Sequence, residues 1–304
     1  MTAARRRFSF RADMRAARRR LAALDSSIVS TPYGAAEYAD RGSGSPVLVI
    51  HGVMGGVDAG LRNVACHVPD GYRIIVPSRF GYLHSTLPPH ATPAVQADAY
   101  AALLDTLDID QAAVIAASAG ATSALQLAIR HPARIRALIL VSPNVPGPHL
   151  ETSRMFAAVA RLLWRFNLVF WAAERYAPRI VLNLMGVPEG LPLSDADRVT
   201  VQAELDGIFP IDQRIDGILF DTFTSNPDIN TGYPLDAITA PTLVCHSRDD
   251  PGPPYHGAVA LTRQIPGATL TSWDQGGHIG LGDHPHIDAA IHTLLHNTAA
   301  PTDD

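Results

Sequence analysis

The sequence predicts an α/β fold with a mostly parallel central sheet that is flanked by helices. Two observations lead to this prediction. Short apolar runs alternate with helical patterns of about 10–15 residues, and such helices are the usual crossovers between parallel strands. The chain has 304 residues, of which 47% are hydrophobic, so it is long enough to bury one large core.

Each element is predicted from its own pattern. A hairpin comes first, because the alternating runs Ser27–Ser30 and Ala35–Ala39 flank a Pro-Tyr-Gly turn. Further along, continuous apolar runs predict buried strands, and apolar residues recurring every three or four positions predict helices. The later predicted elements are strand 47–50, helix 57–68, strand 72–76, helix 93–107, strand 112–117, helix 119–131, strand 136–142, strand 241–246, helix 255–264, strand 268–273 and helix 285–297.

The alternation stops between Pro146 and Leu235. A plain connection between a strand and a helix takes only about 2–6 residues, so this segment is predicted to be an inserted element with its own structure. Arginines interrupt its apolar residues, and the sequence therefore does not predict a transmembrane span. Its first helix is predicted to carry an apolar stripe made of Met155, Val159, Leu162, Phe166 and Val169.

The N-terminal segment is strongly basic. Residues 1–20 contain eight arginines and one aspartate, in a chain whose net charge is −5. We expect residues 1–24 to form a solvated or locally helical arm that binds no nucleic acid, although peripheral contact with an anionic membrane surface stays open. The arginines are not followed by an apolar signal region, which favours a cytoplasmic location.

Composition excludes several classes of enzyme. All 24 basic residues are arginine, so Schiff-base chemistry on a lysine and a P-loop NTPase site are both excluded. No glycine-rich dinucleotide motif follows a strand, and the C-terminal histidines have no matching cysteine or glutamate. The sequence therefore predicts neither a cofactor nor a metal.

Ser118 stands where a predicted strand ends and a predicted helix begins. Small residues surround it in the pattern Ala116-x-Ser118-x-Gly120. This pattern is close to the G-x-S-x-G of a tight strand-turn-helix that exposes a nucleophilic serine. Since alanine adds only a methyl group, the turn remains feasible, although a plain helix N-cap is the alternative.

An aspartate and a histidine follow later predicted strands. Asp249 and Asp250 come after strand 241–246, and His278 follows strand 268–273 behind two glycines. The chain order of serine, aspartate and histidine is that of α/β-hydrolases and differs from the orders in chymotrypsin and subtilisin.

With these motifs and the His51-Gly52 pair that follows strand 47–50, the sequence resembles the α/β-hydrolase superfamily from about Ser27 to Asn297. The resemblance implies an α/β-hydrolase fold. Its core domain would comprise residues 25–145 and 236–299, and residues 146–235 would form a mostly helical cap over the active site.

The resemblance also implies a role for each site residue. Ser118 would be the nucleophile and His278 its base. Asp250 would orient the histidine, since the family places the acid three positions after a glycine that is replaced here by Ser247; Asp249 would then be a turn residue. The oxyanion hole would be formed by two backbone N–H groups, those of Val53 and Ala119.

These roles indicate a serine hydrolase that cleaves a carboxylic ester or a related acyl bond of a small, apolar substrate. Lactonases, carbon–carbon bond hydrolases and perhydrolases use the same triad and remain open, as does a non-catalytic receptor for a small ligand. Two further segments, Ser78–Tyr82 and Pro143–Asn144, end strands near the expected site and are either pocket residues or packed loops. The oligomeric state is not predicted.

Overall fold

An eight-stranded sheet runs through the centre of the molecule. The computed structural model describes residues 9–147, 162 and 166–299. The strands are β1 (Ser27–Thr31), β2 (Gly34–Arg41), β3 (Ser45–Ile50), β4 (Tyr72–Pro77), β5 (Ala112–Ala117), β6 (Ile135–Val141), β7 (Thr242–Ser247) and β8 (Thr269–Trp273).

The sheet is mostly parallel. Its strand order is β1-β2-β4-β3-β5-β6-β7-β8, and only the pairs β1–β2 and β2–β4 are antiparallel. The carboxyl ends of β3, β5, β6, β7 and β8 therefore meet at one edge. In open sheets of this kind, ligands bind at that edge.

Helices cover both faces of the sheet. Strand β3 illustrates why, since Leu48 and Ile50 belong to the core on one face and Val47 and Val49 to the core on the other. The helices are α1 (Phe10–Ala22), α2 (Val57–Asn63), α3 (Pro93–Thr106), α4 (Gly120–Arg130), α5 (Asn167–Tyr176), α6 (Pro178–Leu184), α7 (Asp195–Ile208), α8 (Ile215–Phe220), α9 (Tyr255–Gln264) and α10 (Pro285–Thr298).

Local sequence signals explain where several helices begin. Helix α3 follows Thr92, whose side chain accepts a hydrogen bond from the Val95 N–H, and it has proline in its first turn. Helix α7 follows a capping box in which Ser194 and Asp197 bind each other's backbone N–H groups. A helix predicted over 57–68 ends instead at Asn63, because Gly60 and the β-branched Val64 are weak helix formers.

The inserted segment is helical in its described part, from residue 166 to β7. Helix α8 continues through a π-helical turn (Asp221–Ser225) into a last short turn (Asn226–Asp228). Met155 and Val159 of the predicted stripe lie outside the described residues. The other three members, Leu162, Phe166 and Val169, are exposed rather than packed on the core.

The basic N-terminal segment is locally helical, which was one of the two predicted forms, but one side of this helix is packed and not solvated. Helix α1 buries Met14 and Ala17 in an apolar cluster that also contains residues of α5 and α7. The indole N–H of Trp171 donates to Asp13 at 2.9 Å, and Arg20 donates to the carbonyl of Asp206 at 2.7 Å. Helix α1 is thus attached to the inserted segment. Within the described part of the chain, no helix is both long and apolar enough to cross a membrane.

Candidate active site

Ser118 occupies a strained turn between β5 and α4. Its φ of 51° lies in the left-handed region, which residues with a side chain rarely adopt. Three hydrogen bonds fix this conformation: the Ser118 N–H donates to the carbonyl of Val141 at 3.0 Å, and the Ser118 carbonyl accepts from the N–H groups of Asn144 (3.1 Å) and Ala121 (3.0 Å). The serine is therefore held at the carboxyl edge of the sheet.

The two small residues beside Ser118 are not equivalent. Ala116 is fully buried in β5 and its methyl group belongs to the core. A Cβ added to Gly120 would lie 2.7 Å from the carbonyl oxygen of His51 and 2.9 Å from a methyl carbon of Ile50. Of these two positions, only 120 requires glycine.

Ser118, His278 and Asp250 form one hydrogen-bonded chain. The Ser118 Oγ lies 2.7 Å from Nε2 of His278, and Nδ1 of that histidine lies 2.7 Å from Oδ2 of Asp250. The carboxylate is fully buried, and its other oxygen accepts from the N–H of Gly252 at 2.8 Å. A proton on Nδ1 that is donated to Asp250 leaves Nε2 free to accept from the serine hydroxyl.

Asp249 lies in the same loop but holds different groups. Its carboxylate accepts from the N–H groups of Gly277 (2.9 Å) and Gly276 (3.2 Å) and from the Ser247 hydroxyl (2.5 Å). It therefore fixes the glycine turn in front of His278 and not the imidazole itself. The sequence indicated only a turn residue here.

His246 is an additional group behind the carboxylate that sequence analysis did not single out. It is fully buried at the end of β7, where Nε2 lies 2.8 Å from the Pro253 carbonyl and 3.6 Å from Oδ2 of Asp250. Burial lowers the pKa of this imidazole, outweighing the opposite effects of the Pro253 carbonyl and Asp250. His246 is therefore a neutral donor that closes the loop around Asp250.

The loop between β3 and α2 faces Ser118 from the other side. A Cβ on Gly52 would lie 3.0 Å from the Cβ of Ser118, so a side chain here would crowd the serine. Val53 lines the adjacent cavity, and Ala119 is buried at the start of α4. Both predicted oxyanion-hole residues thus belong to segments that border Ser118.

His51 holds this loop in place. Its Nδ1 lies 2.7 Å from the Gly52 carbonyl, and its Nε2 accepts from the Arg79 N–H at 2.9 Å. The ring also packs edge-on against Tyr82, with centroids 4.8 Å apart. Complete burial, together with the nearby Arg79 guanidinium, lowers the pKa of His51 to about 3, so this histidine is a neutral structural group.

A cavity of about 600 Å³ opens in front of Ser118 and His278. The sheet edge supplies one wall, and the inserted segment supplies the opposite one through α6 and α7. Most of the lining is apolar, including Met54, Val141, Leu184, Met185, Ile208 and Ile279. A substrate in this cavity would be surrounded mainly by hydrocarbon close to the serine.

Polar side chains line another part of the cavity. Arg62 and Asn63 at the end of α2 both donate to the carboxylate of Glu204 in α7, with Asn63 Nδ2 at 2.6 Å and Arg62 Nε at 3.3 Å. A second pair joins His67 to Asp288 at 2.6 Å. Sequence analysis missed these groups, because each pair joins residues more than a hundred positions apart and no motif marks them.

The segment Ser78–Tyr82 is a packed structure and not part of the cavity wall. Arg79 is fully buried and its two terminal nitrogens donate to Asp221, at 2.9 and 2.6 Å. The Tyr82 hydroxyl donates to the same carboxylate at 2.6 Å. Asn144 similarly donates to the carbonyl of Asn226 at 3.0 Å. Both segments connect the sheet edge to the inserted helices.

Comparisons with known proteins agree with this architecture. The family model of the α/β hydrolase fold matches residues 45–187. The chain is 30% identical over 247 residues to a 2-hydroxymuconate semialdehyde hydrolase of Pseudomonas putida, and this alignment covers 79% of the chain and 82% of the relative. The chain belongs to the α/β-hydrolase superfamily.

Other members of the superfamily are similar over comparable lengths. A putative carbamate hydrolase of Serratia proteamaculans is 27% identical over 81% of the chain and 90% of its own length. An α/β-hydrolase-fold protein of Nakamurella multipartita superposes with a TM-score of 0.66 at 28% identity, covering 89% of the chain and 99% of its own. The family model of a TAP-like protein matches residues 224–304. The α/β-hydrolases to which this chain is similar are thus named for the cleavage of different kinds of bond.

Proposed function

We propose that this α/β-hydrolase is a serine hydrolase that cleaves a carboxylic ester or a related acyl bond through an acyl-enzyme on Ser118. The observation that carries the proposal is the chain of two 2.7 Å contacts from Ser118 through His278 to Asp250, at the wall of a cavity. A hydroxyl, an imidazole and a buried carboxylate in this order are the arrangement that activates a serine.

In the proposed reaction, His278 takes the Ser118 proton as the oxygen attacks the acyl carbon. The carbonyl oxygen becomes an anion that the N–H groups of Ala119 and Val53 bind, each such donor being worth about 3–4 kcal/mol in the transition state. His278 then gives the proton to the departing alcohol oxygen. In the second half, His278 deprotonates a water that attacks the acyl group and releases the acid and the free serine.

The proposed substrate is a small acyl compound with an apolar portion. Support comes from the cavity wall, because both the sheet edge and helices α6 and α7 contribute apolar side chains. We accordingly assign residues 25–145 and 236–299 to a core domain and residues 146–235 to a cap that shapes the cavity.

The test is covalent labelling combined with turnover. A fluorophosphonate probe is expected to modify Ser118, and short p-nitrophenyl esters are expected to be hydrolysed. Ser118→Ala should lose both properties and still fold, since only one oxygen is removed. Labelling that persists in this variant, or a wild-type protein that is neither labelled nor active, would contradict the proposal.

Carbon–carbon bond hydrolysis is the second candidate, because a relative at 30% identity is named as a 2-hydroxymuconate semialdehyde hydrolase. One contact argues against a dienoate substrate. Such a compound carries a carboxylate that an unpaired cation would bind best, and Arg62, the arginine that lines the described cavity, is already paired with Glu204. Comparing kcat/KM for a 2-hydroxy-6-oxo-2,4-dienoate and for matched esters on the same enzyme separates the two candidates.

A further inference from the structure

A buried ion pair joins the inserted segment to helix α2. Arg214, directly before α8, is fully buried and donates to both carboxylate oxygens of Asp58, at 2.9 and 2.7 Å. Burial by itself would raise the pKa of Asp58, but the charge and hydrogen bonds of Arg214 outweigh it and the pKa is lowered. Both groups are therefore charged, and each depends on the other.

The same guanidinium also holds the loop between β3 and α2. One terminal nitrogen of Arg214 donates to the carbonyl of Gly55 as well as to Asp58. A Cβ on Gly56 would lie 2.7 Å from that nitrogen, and a Cβ on Gly55 would lie 2.4 Å from Nδ1 of His51. The loop thus passes between the His51 ring and the Arg214 guanidinium, with room only for glycine.

This loop needs external support because its backbone is strained. The strain lies at Met54, whose φ of 60° is in the region that residues with side chains avoid, while Gly56 has a φ of 148° that glycine adopts readily. A strained conformation like that of Met54 persists only where surrounding contacts fix it. His51 fixes the start of the loop through the Gly52 carbonyl, and Arg214 fixes its end through Gly55.

We propose that Arg214 is a positioning residue for catalysis, which holds the Val53 N–H in the place where it binds the oxyanion. The inference rests on the proposed function, in which this loop supplies one of the two donors. Arg214 is buried behind the loop while Gly55 faces the cavity, so the arginine acts through the backbone. Through Arg214, the inserted segment thus helps to shape the oxyanion hole, which is built on the core domain.

The test uses the variant Arg214→Met/Asp58→Asn, which removes the loop contact without leaving one charge buried alone. Turnover is measured per fluorophosphonate-reactive site, so that unfolded protein does not count. We expect kcat for a p-nitrophenyl ester to fall by about a hundredfold, the typical effect of a misplaced catalytic group. KM should change by less than about threefold, since ground-state contacts in the cavity are retained.

A trifluoromethyl ketone provides a second readout that folding defects do not mimic. Ser118 adds to its carbonyl carbon, His278 takes the proton, and the carbonyl oxygen becomes an anion in the oxyanion hole. The inhibition constant of this ketone should rise in proportion to the loss of kcat. That of the matching methyl ketone, which binds mainly through apolar contact, should stay constant.

The control is Arg73→Met/Asp40→Asn. This bidentate ion pair joins β4 to β2, and its side chains bind neither the loop backbone nor His51. It should lower the melting temperature slightly and leave kcat per reactive site within about threefold. If the Arg214 double variant does not fold, Arg214→Lys is used instead. It keeps the charge, but its ammonium ends one bond short of the guanidinium nitrogens and has no second nitrogen for Asp58, so a smaller loss of the same kind is expected.

The Arg214 proposal is overturned if its folded variant keeps wild-type kcat and ketone affinity, or if the control loses both to the same extent. Failure of the proposed function looks different, because wild-type enzyme would then show neither labelling nor esterase turnover.

Discussion

Neighbouring carboxylates in one loop have separate tasks in this site. Asp250 contacts the imidazole of His278, while Asp249 holds the backbone of the glycine turn before it. The orienting role of Asp250 stays a prediction, which came from a family register counted from Ser247. The sequence could not predict the contacts of Asp249 or the imidazole of His246 behind Asp250, since both depend on how two loops meet in space.

The first residue-level prediction compares these two acids. Asp250→Asn should lower kcat by up to about 10⁴-fold, because an amide favours the wrong tautomer of the imidazole. Asp249→Asn keeps an acceptor for the glycine turn and loses about one hydrogen bond, worth about 1 kcal/mol, so at most a tenfold loss is expected. Steady-state kinetics with an ester measures kcat for both variants. A larger loss in Asp249→Asn than in Asp250→Asn would mean that Asp249 orients the histidine.

The second residue-level prediction concerns pH. His51 is buried and neutral, and its pKa is lowered to about 3. The unfolded state, where a histidine titrates near ~6.5, binds one more proton below that pH. The free energy of unfolding should therefore be fully retained above pH ~6.5 and fall by up to about 1.4 kcal/mol per pH unit as the pH decreases toward 3.

Urea unfolding of His51→Gln at several pH values checks this slope. The variant should lose stability overall but show a shallower decline between pH 6 and pH 4 than the wild type. His246, whose pKa is also lowered by burial, contributes a decline of the same sign in both proteins. Equal slopes would contradict the assignment of His51, and the exposed His296→Gln serves as the unchanged control.

At the level of elements, strands and helices of the core followed from local patterns. The hairpin and the buried strands lie where alternating or continuous apolar residues predict them, and helix α9 lies where apolar residues recur every three or four positions. Burial against the sheet requires apolar residues at these spacings, so the sequence shows them. The packing of α1 was not predictable, since its partners Trp171 and Asp206 are more than 150 residues away. Likewise, the cavity's polar wall depends on contacts between α2 and α7.

The turn between β5 and α4 yields a prediction with a built-in control. Gly120→Ala places a methyl group against the His51 carbonyl, so β3 and the turn must separate and activity should fall by at least about tenfold, as expected for catalytic groups displaced by a fraction of an ångström. Ala116→Gly removes a buried methyl group and makes the strand more flexible, which together cost about 1–2 kcal/mol of stability while the catalytic groups stay in place. Labelling rates and thermal unfolding of both variants distinguish the two effects.

At the scale of the molecule, helix α1 connects the basic N-terminus to the inserted helices. Met14→Ala should lower stability by about 2–5 kcal/mol, as for other buried methionines, and speed hydrogen exchange in α5 and α7. Arg15→Ala, on the exposed face one residue further on, should change neither quantity. Differential scanning calorimetry and exchange mass spectrometry measure them. If Met14→Ala changed them no more than Arg15→Ala does, the packing of α1 would not stabilise the molecule.

The two buried ion pairs also determine which part of the insertion can be exchanged. Arg214 and Asp221 lie in its last third and are bonded to Asp58 and Arg79 of the core. A chimera that imports the whole segment from a relative would leave these core charges without their partners wherever that relative carries other residues at the two positions. One that imports only α5, α6 and α7 would keep both pairs and replace the side chains of Leu184, Met185 and Ile208. The natural crossover point for transplanting a foreign substrate preference into this scaffold is therefore the stretch around Phe209, just before Arg214, the first of the two anchoring residues.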